Sequence, residues 1–268
     1  MHAALTRISA LTLCVGATGA HASPCEVIVE VAQESTAGTG DWDSNFLTLI
    51  KAIETTQTAN GYYNWSSSTG TFGPPAGEPL PALDADTAHL FMVDGSDGAS
   101  VFQVYDTNVL SLTVNAADTT WALSGDTAAY LAQDGPQSNQ DQYTSNGTDF
   151  TTHHGWGNSK TDGFAIGILE GDWSMLVEID SHVDLLDWVT ISADGSRFSL
   201  GLTADRRVRL QPYACDADVD LDLDVDTDDL LEFTTMHLAG NPCADMDGDG
   251  DVDALDLVEY TTQYLAGC

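Results

Sequence analysis

Basic residues are nearly missing from this chain. Seven lysines and arginines stand against 42 aspartates and glutamates, a formal net charge of −35. Nucleic acids and anionic membranes are held through basic patches, so neither is expected as a partner. Cations and proteins with basic faces are favoured instead. An acidic surface poor in lysine also suits salty surroundings, where screening weakens self-repulsion. Long apolar runs are absent too, so no membrane-spanning helix is expected. No two cysteines have the C-x2-4-C spacing of a zinc site. No G-x-S-x-G elbow occurs, and no paired carboxylates stand in a recognisable glycosidase setting.

What is present begins with an export signal. Arg7 supplies a positive start, residues 8–17 a short apolar core, and Ala20, His21 and Ala22 an A-x-A cleavage site. Residues 1–22 are therefore read as a signal peptide cleaved after Ala22, and the mature protein as secreted or held at the cell surface. Leu13 before Cys14 argues against a lipid anchor. The mature chain keeps Cys25, Cys215, Cys243 and Cys268. An even count in an exported chain suggests disulfides. Three pairings are possible. The favoured one joins Cys25 to Cys215 across the ends of a body domain, and Cys243 to Cys268.

Residues 23–213 read as a mainly β body, an antiparallel sandwich or jelly roll. Short runs rich in β-branched and aromatic residues recur at 26–31, 90–93, 101–105, 109–114, 119–123, 129–132, 164–169, 173–179 and 188–192. Turn chemistry separates them. A meander is expected from 197–202 to 207–211. Residues 45–54 carry Phe46, Leu49, Ile50 and Ile53 at helical spacing, which predicts one helix. The polar stretches 60–82 and 134–160 are expected as loops.

Chemistry in the body is sparse. His153 and His154 sit beside Trp156 in a glycine-rich stretch, a pattern that could bind metal or sugar, but neighbours on a strand face opposite ways and no nearby carboxylate supports it. A structural or solvated role is expected for both. Ser181, His182 and Asp184 read as a turn, and Asp84, Asp86 and His89 as a chance cluster in an acidic chain. Trp121, Trp173 and Trp188 are expected in the core. Trp42, Trp65 and Trp156 are expected to cover the sandwich ends, with stacking on a sugar as the alternative.

The richest pattern lies at the end of the chain. Residues 245–256 read D-M-D-G-D-G-D-V-D-A-L-D. Carboxylates at loop positions 1, 3 and 5 converge on one point, glycine at 6 turns the chain, position 7 offers its carbonyl, position 9 acts through water, and position 12 closes the shell. These are Asp245, Asp247, Asp249, Gly250, Asp251, Asp253 and Asp256. Val252 at position 8 is expected to pin the loop to a partner loop. That partner lies 27 residues earlier, where Asp218, Asp220, Asp222, Asp224, Asp226 and Asp229 repeat the spacing. Apolar residues at helical spacing, then glycine, follow each loop. Position 6 of the first loop is Leu223, which predicts a strained turn and a weaker first site.

This pattern resembles a type I dockerin module, a pair of loop–helix half EF-hands, over residues 214–268. The resemblance implies two Ca2+ ions, held by Asp218, Asp220, Asp222, Asp224 and Asp229 and by Asp245, Asp247, Asp249, Asp251 and Asp256. It implies a cohesin-like partner domain, selected in part by positions 10 and 11, here Thr227, Asp228, Ala254 and Leu255. These differ between the repeats, so two symmetric docking modes are not expected. The basic residues common on the family's recognition helices are missing, since residues 215–268 hold no lysine or arginine. The expected protein is an exported, non-catalytic binding or structural module attached to a scaffold or surface. The alternative is a secreted polysaccharide-active hydrolase carrying the same module.

Overall fold

The computed structural model describes residues 27–42, 46–64, 71–106, 115–127, 129–133, 141–157, 160–203 and 205–267. The signal segment, Cys25, Cys268, Trp65 and the expected strand at 109–114 lie outside them. The fold is mainly β. One sheet runs β2 (Phe46–Lys51), β1 (Ile28–Gln33), β14 (Val208–Pro212), β11 (Ser174–Val183), β6 (Asn115–Ser124), β9 (Asp149–Trp156), β8 (Gln142–Ser145). The other runs β13 (Arg197–Ser199), β12 (Asp187–Ile191), β4 (Thr87–Gly95), β5 (Gly98–Tyr105), β10 (Asp162–Leu169), β7 (Ala129–Gln133), with β3 (Ile53–Glu54) beside β4. Among the described residues only the β12–β4 and β3–β4 pairs are parallel. Helices follow the sandwich. No helix among the described residues is long and apolar enough to cross a membrane.

The two sheets differ in how their residues are buried. In β6 and β11 buried residues alternate with more exposed ones, as in a sheet with one wet face. β4 and β5 are buried on both faces, so residues 90–93 read as a continuous apolar run. The inner layer holds Trp121, Phe150, Phe164, Met175, Val177 and Trp188. A second layer covers the outside of the other sheet. There α1 (Ala59–Tyr63) brings Tyr62 and Tyr63 onto Phe72, Phe91 and Phe102. Trp121, Trp173 and Trp188 are buried as expected. Trp156 is buried as well and stacks on Tyr105. Trp42 lies beneath the guanidinium groups of Arg207 and Arg209.

Four expectations are corrected. Residues 46–54 are not a helix: they form β2 and β3. Pairing with β1 satisfies their backbone and places Ile50 and Ala52 in the core, which outweighs a local helical stripe. The stretch 134–160 holds β8 and β9, and α1 begins just before 60–82, with Thr58 as its cap. In β9 the inward residues Thr152 and His154 are polar, which hid the alternation. The expected meander is split, because β13 pairs with β12 while β14 joins β1 and β11 in the other sheet. Ser181, His182 and Val183 end a strand, and the turn is at Asp184, whose φ is 60.

Candidate metal centre

The acidic repeats fold into two loops, each leading into a helix. These are α2 (Thr227–Leu238) and α3 (Ala254–Ala266). In each loop the first carboxylate is drawn inward by amides further along. Asp218 accepts hydrogen bonds from Asp222 N and Leu223 N, and Asp245 from Gly248 N and Gly250 N. Smaller turns follow: Asp220 accepts from Asp222 N, Asp222 from Asp224 N, Asp247 from Asp249 N, and Asp249 from Asp251 N. These bonds curl the chain so that carboxylates at alternate positions approach one another.

The twelfth residue of each loop closes it. Asp229 accepts from Val219 N, Asp220 N and Asp226 N, and Asp256 from Met246 N, Asp247 N and Asp253 N. Both are buried. Burial works against the charge on Asp256, but the amides of Asp253, Asp247 and Met246 together hold its carboxyl below the usual range. A carboxylate has about four lone-pair directions, so the three amides leave roughly one for a cation in this geometry.

Ligand atoms of Asp218, Asp220 and Asp229 lie within 4.8 Å of one another, as do those of Asp245, Asp247 and Asp256. Asp224, Asp226 and Asp229 form a third such group. Positions 1, 3 and 12 therefore converge in both repeats. The donors are all oxygen, which suits a hard cation such as Ca2+. Desolvation, and then the charge of Asp222, raises the carboxyl of Asp220, while Asp222 is the main cause for Asp224. Desolvation also raises Asp247, and the charge of Asp249 raises Asp251. A bound cation would relieve this crowding.

Sequence spacing had not shown a second task for four of these residues. Asp226 and Asp253 are the N-caps of α2 and α3, and Asp229 and Asp256 complete a capping box with them. The D-x-x-D spacing was the available signal. Gly240 and Gly267 take left-handed backbone just past the helices, φ 64 and 68.

The loops differ in strain. Gly248 and Gly250 have φ 70 and 97, where the first loop has Leu221 at 64 and Leu223 at 79. The left-handed region disfavours a side chain, so the first turn carries strain at two positions. Leu223 was expected to be strained; Leu221 adds to it. Tyr213, whose amide donates to Ile28 O on β1, also ties its hydroxyl to Asp218 at 2.5 Å.

The two repeats share one small core. Phe233 and its repeat mate Tyr260 stack face to face, 3.8 Å apart and 3° from parallel. Ala217 and Ala244 fill the space beside them, and Val225 and Val252 pack against this cluster. Cys215 and Cys243 are both disulfide-bonded. Their expected partners Cys25 and Cys268 lie outside the described residues. Thr227, Asp228, Ala254 and Leu255 are all exposed at the helix starts. Leu231 and Leu238 on α2, and Leu255, Val258 and Leu265 on α3, also face solvent.

In the body, His153 and His154 do face opposite ways. Carboxylates absent from their sequence neighbourhood arrive from other strands: Asp118 Oδ1 is 2.6 Å from His153 Nδ1, and Asp162 Oδ1 is 2.9 Å from His154 Nδ1. His89 is buried, with Asp84 N donating to its Nε2 and Nδ1 at 3.3 Å from Val104 O. Asp84 pairs with Arg197. No family model, curated protein or solved structure matches the chain.

Proposed function

We propose that residues 214–268 are a Ca2+-dependent docking module of the dockerin type, and that the β-sandwich is the exported, non-catalytic binding or structural body it attaches to a scaffold or surface. The observation that carries this reading is the repeated convergence of the carboxylate oxygens of positions 1, 3 and 12 in two loops. Ca2+ is the cation this donor set fits best, because it takes six to eight oxygens in flexible geometry. The exposed leucines and valine at matching positions of α2 and α3 supply the apolar surface that a partner domain would cover. A cohesin-like domain is the partner this reading names.

Calorimetry on the chelator-treated chain tests it. Two equivalents of Ca2+ should bind, the second loop more tightly, with a gain of helical signal. A chain that takes up no Ca2+ at millimolar concentration, or whose helices are equally formed in chelator and in Ca2+, would refute the reading.

A further inference from the structure

A different cluster lies inside the sandwich, away from the acidic loops. His154 of β9, Asp162 at the start of β10, and Asp141 just before β8 bring their ligand atoms within 4.8 Å of one another. β8 and β9 belong to one sheet and β10 to the other, so the three residues bridge the layers. His154 and Asp162 are buried and Asp141 is partly buried.

The imidazole is held in one orientation. It stacks on Phe164 at 5.2 Å and 11°, and meets Tyr143 edge-on at 5.2 Å. Its Nδ1 faces Asp162, while its buried Nε2 has no hydrogen-bond partner among the described residues. The carboxylates are oriented too: Asp162 Oδ1 accepts from Gly163 N at 2.6 Å, and Asp141 Oδ1 from Gly155 N at 3.3 Å. We propose that Asp141, His154 and Asp162 form a binding site for one divalent first-row transition cation, of the Zn2+ or Mn2+ class.

The donor set points to that class. One imidazole nitrogen with two carboxylates suits Zn2+ and its neighbours, whereas Ca2+ prefers oxygen alone. Two carboxylates and one imidazole nitrogen balance a divalent charge, which matters where His154 and Asp162 are buried. Without a cation, desolvation and the neighbouring Asp162 raise the carboxyl of Asp141 to about 6. Three protein ligands leave a coordination position for water.

The test uses the full-length mature chain, stripped by chelator and then given Ca2+ in large excess to fill the loops. Zn2+ should bind as one further equivalent per chain, and Co2+ should give visible absorption bands from a site with a nitrogen ligand. Asp141→Asn should keep the far-UV spectrum and weaken Zn2+ binding by at least about tenfold. Mn2+ serves if that variant fails to fold. In the Ca2+-filled wild type it should broaden the amide signals of Gly155 and Gly163. A folded chain that binds no equivalent beyond the loops, an Asp141→Asn variant that folds and binds Zn2+ as tightly as wild type, or Mn2+ broadening confined to Gly248 and Gly250 would each overturn the proposal.

Discussion

Single residues set the quality of the first loop and part of the pH response. Leu223 sits at φ 79 where its repeat mate is glycine. A non-glycine residue in that region costs roughly 1–3 kcal/mol, offset in part by the greater freedom glycine has when unfolded. Leu223→Gly should stabilise the Ca2+-loaded module by about 1 kcal/mol, or tighten the first site about fivefold. Site-resolved Ca2+ titration checks this, and no change in the first site would show that the turn is not what weakens it. His89 governs the second prediction. Burial, and then the charge of Arg197, push its imidazole down to about 4 from 6.5. The unfolded chain then binds a proton between those pH values that the folded chain refuses. Stability attributable to His89 is therefore complete above pH 6.5 and lost as pH falls to about 4, a loss of about 3 kcal/mol. Denaturant unfolding at both pH values, with His89→Gln as reference, measures it. Glu34, lowered to about 2 chiefly by its hydrogen bond from Arg207, acts in a separate window, losing its contribution as pH falls from 4.5 to about 2.

At the scale of the element, the acidic loops and their helices are one unit, because the closing carboxylates also start the helices. Asp253 caps α3 through Leu255 N, a bond with no need of a cation. Asp253→Ala should therefore cost about 1 kcal/mol of helix stability even where Ca2+ binding is intact. Asp256→Ala removes the acceptor of three amides as well as the proposed ligand. It should collapse the second repeat at millimolar Ca2+, while Asp229→Ala, in the strained loop, should cost less binding. Circular dichroism of the three variants across a Ca2+ series orders them. Equal losses from Asp253→Ala and Asp256→Ala would mean that position 12 acts only as a cap. The same scale explains the corrected elements. The helical stripe at 45–54 was real in sequence, but β1 offered a backbone partner that a helix would have left unpaired. The strand at Asp149–Trp156 was concealed because two of its inward positions, Thr152 and His154, are polar, and Thr119 and Asp162 on other strands supply their hydrogen-bond partners.

Over the whole molecule, apolar burial is divided between the sandwich and the small cluster around Phe233 and Tyr260. All six tryptophans lie between residues 42 and 188, so their fluorescence reports the sandwich alone. Chelation should reduce the helical signal while leaving tryptophan emission unchanged. On the proposed reading, Ca2+ at a thousandfold excess over its Kd would add about 4 kcal/mol to an acidic segment that holds no basic residue. Joint loss of both signals in chelator would mean that the sandwich depends on the loops.

Many of the strands, the core tryptophans, the twofold acidic repeat and the strain at Leu223 are legible in the residues alone, because each depends on spacing or backbone preference within a short stretch. Tertiary structure decided which polar residues meet. Asp118 reaches His153 across a strand pair, Asp162 reaches His154 across the two sheets, and Asp141 joins them from the start of a third strand. The physical reason is that strand register and sheet stacking bring together residues on different strands that no local spacing relates. A lone histidine on a strand has the same local pattern whether a carboxylate waits across the sandwich or not.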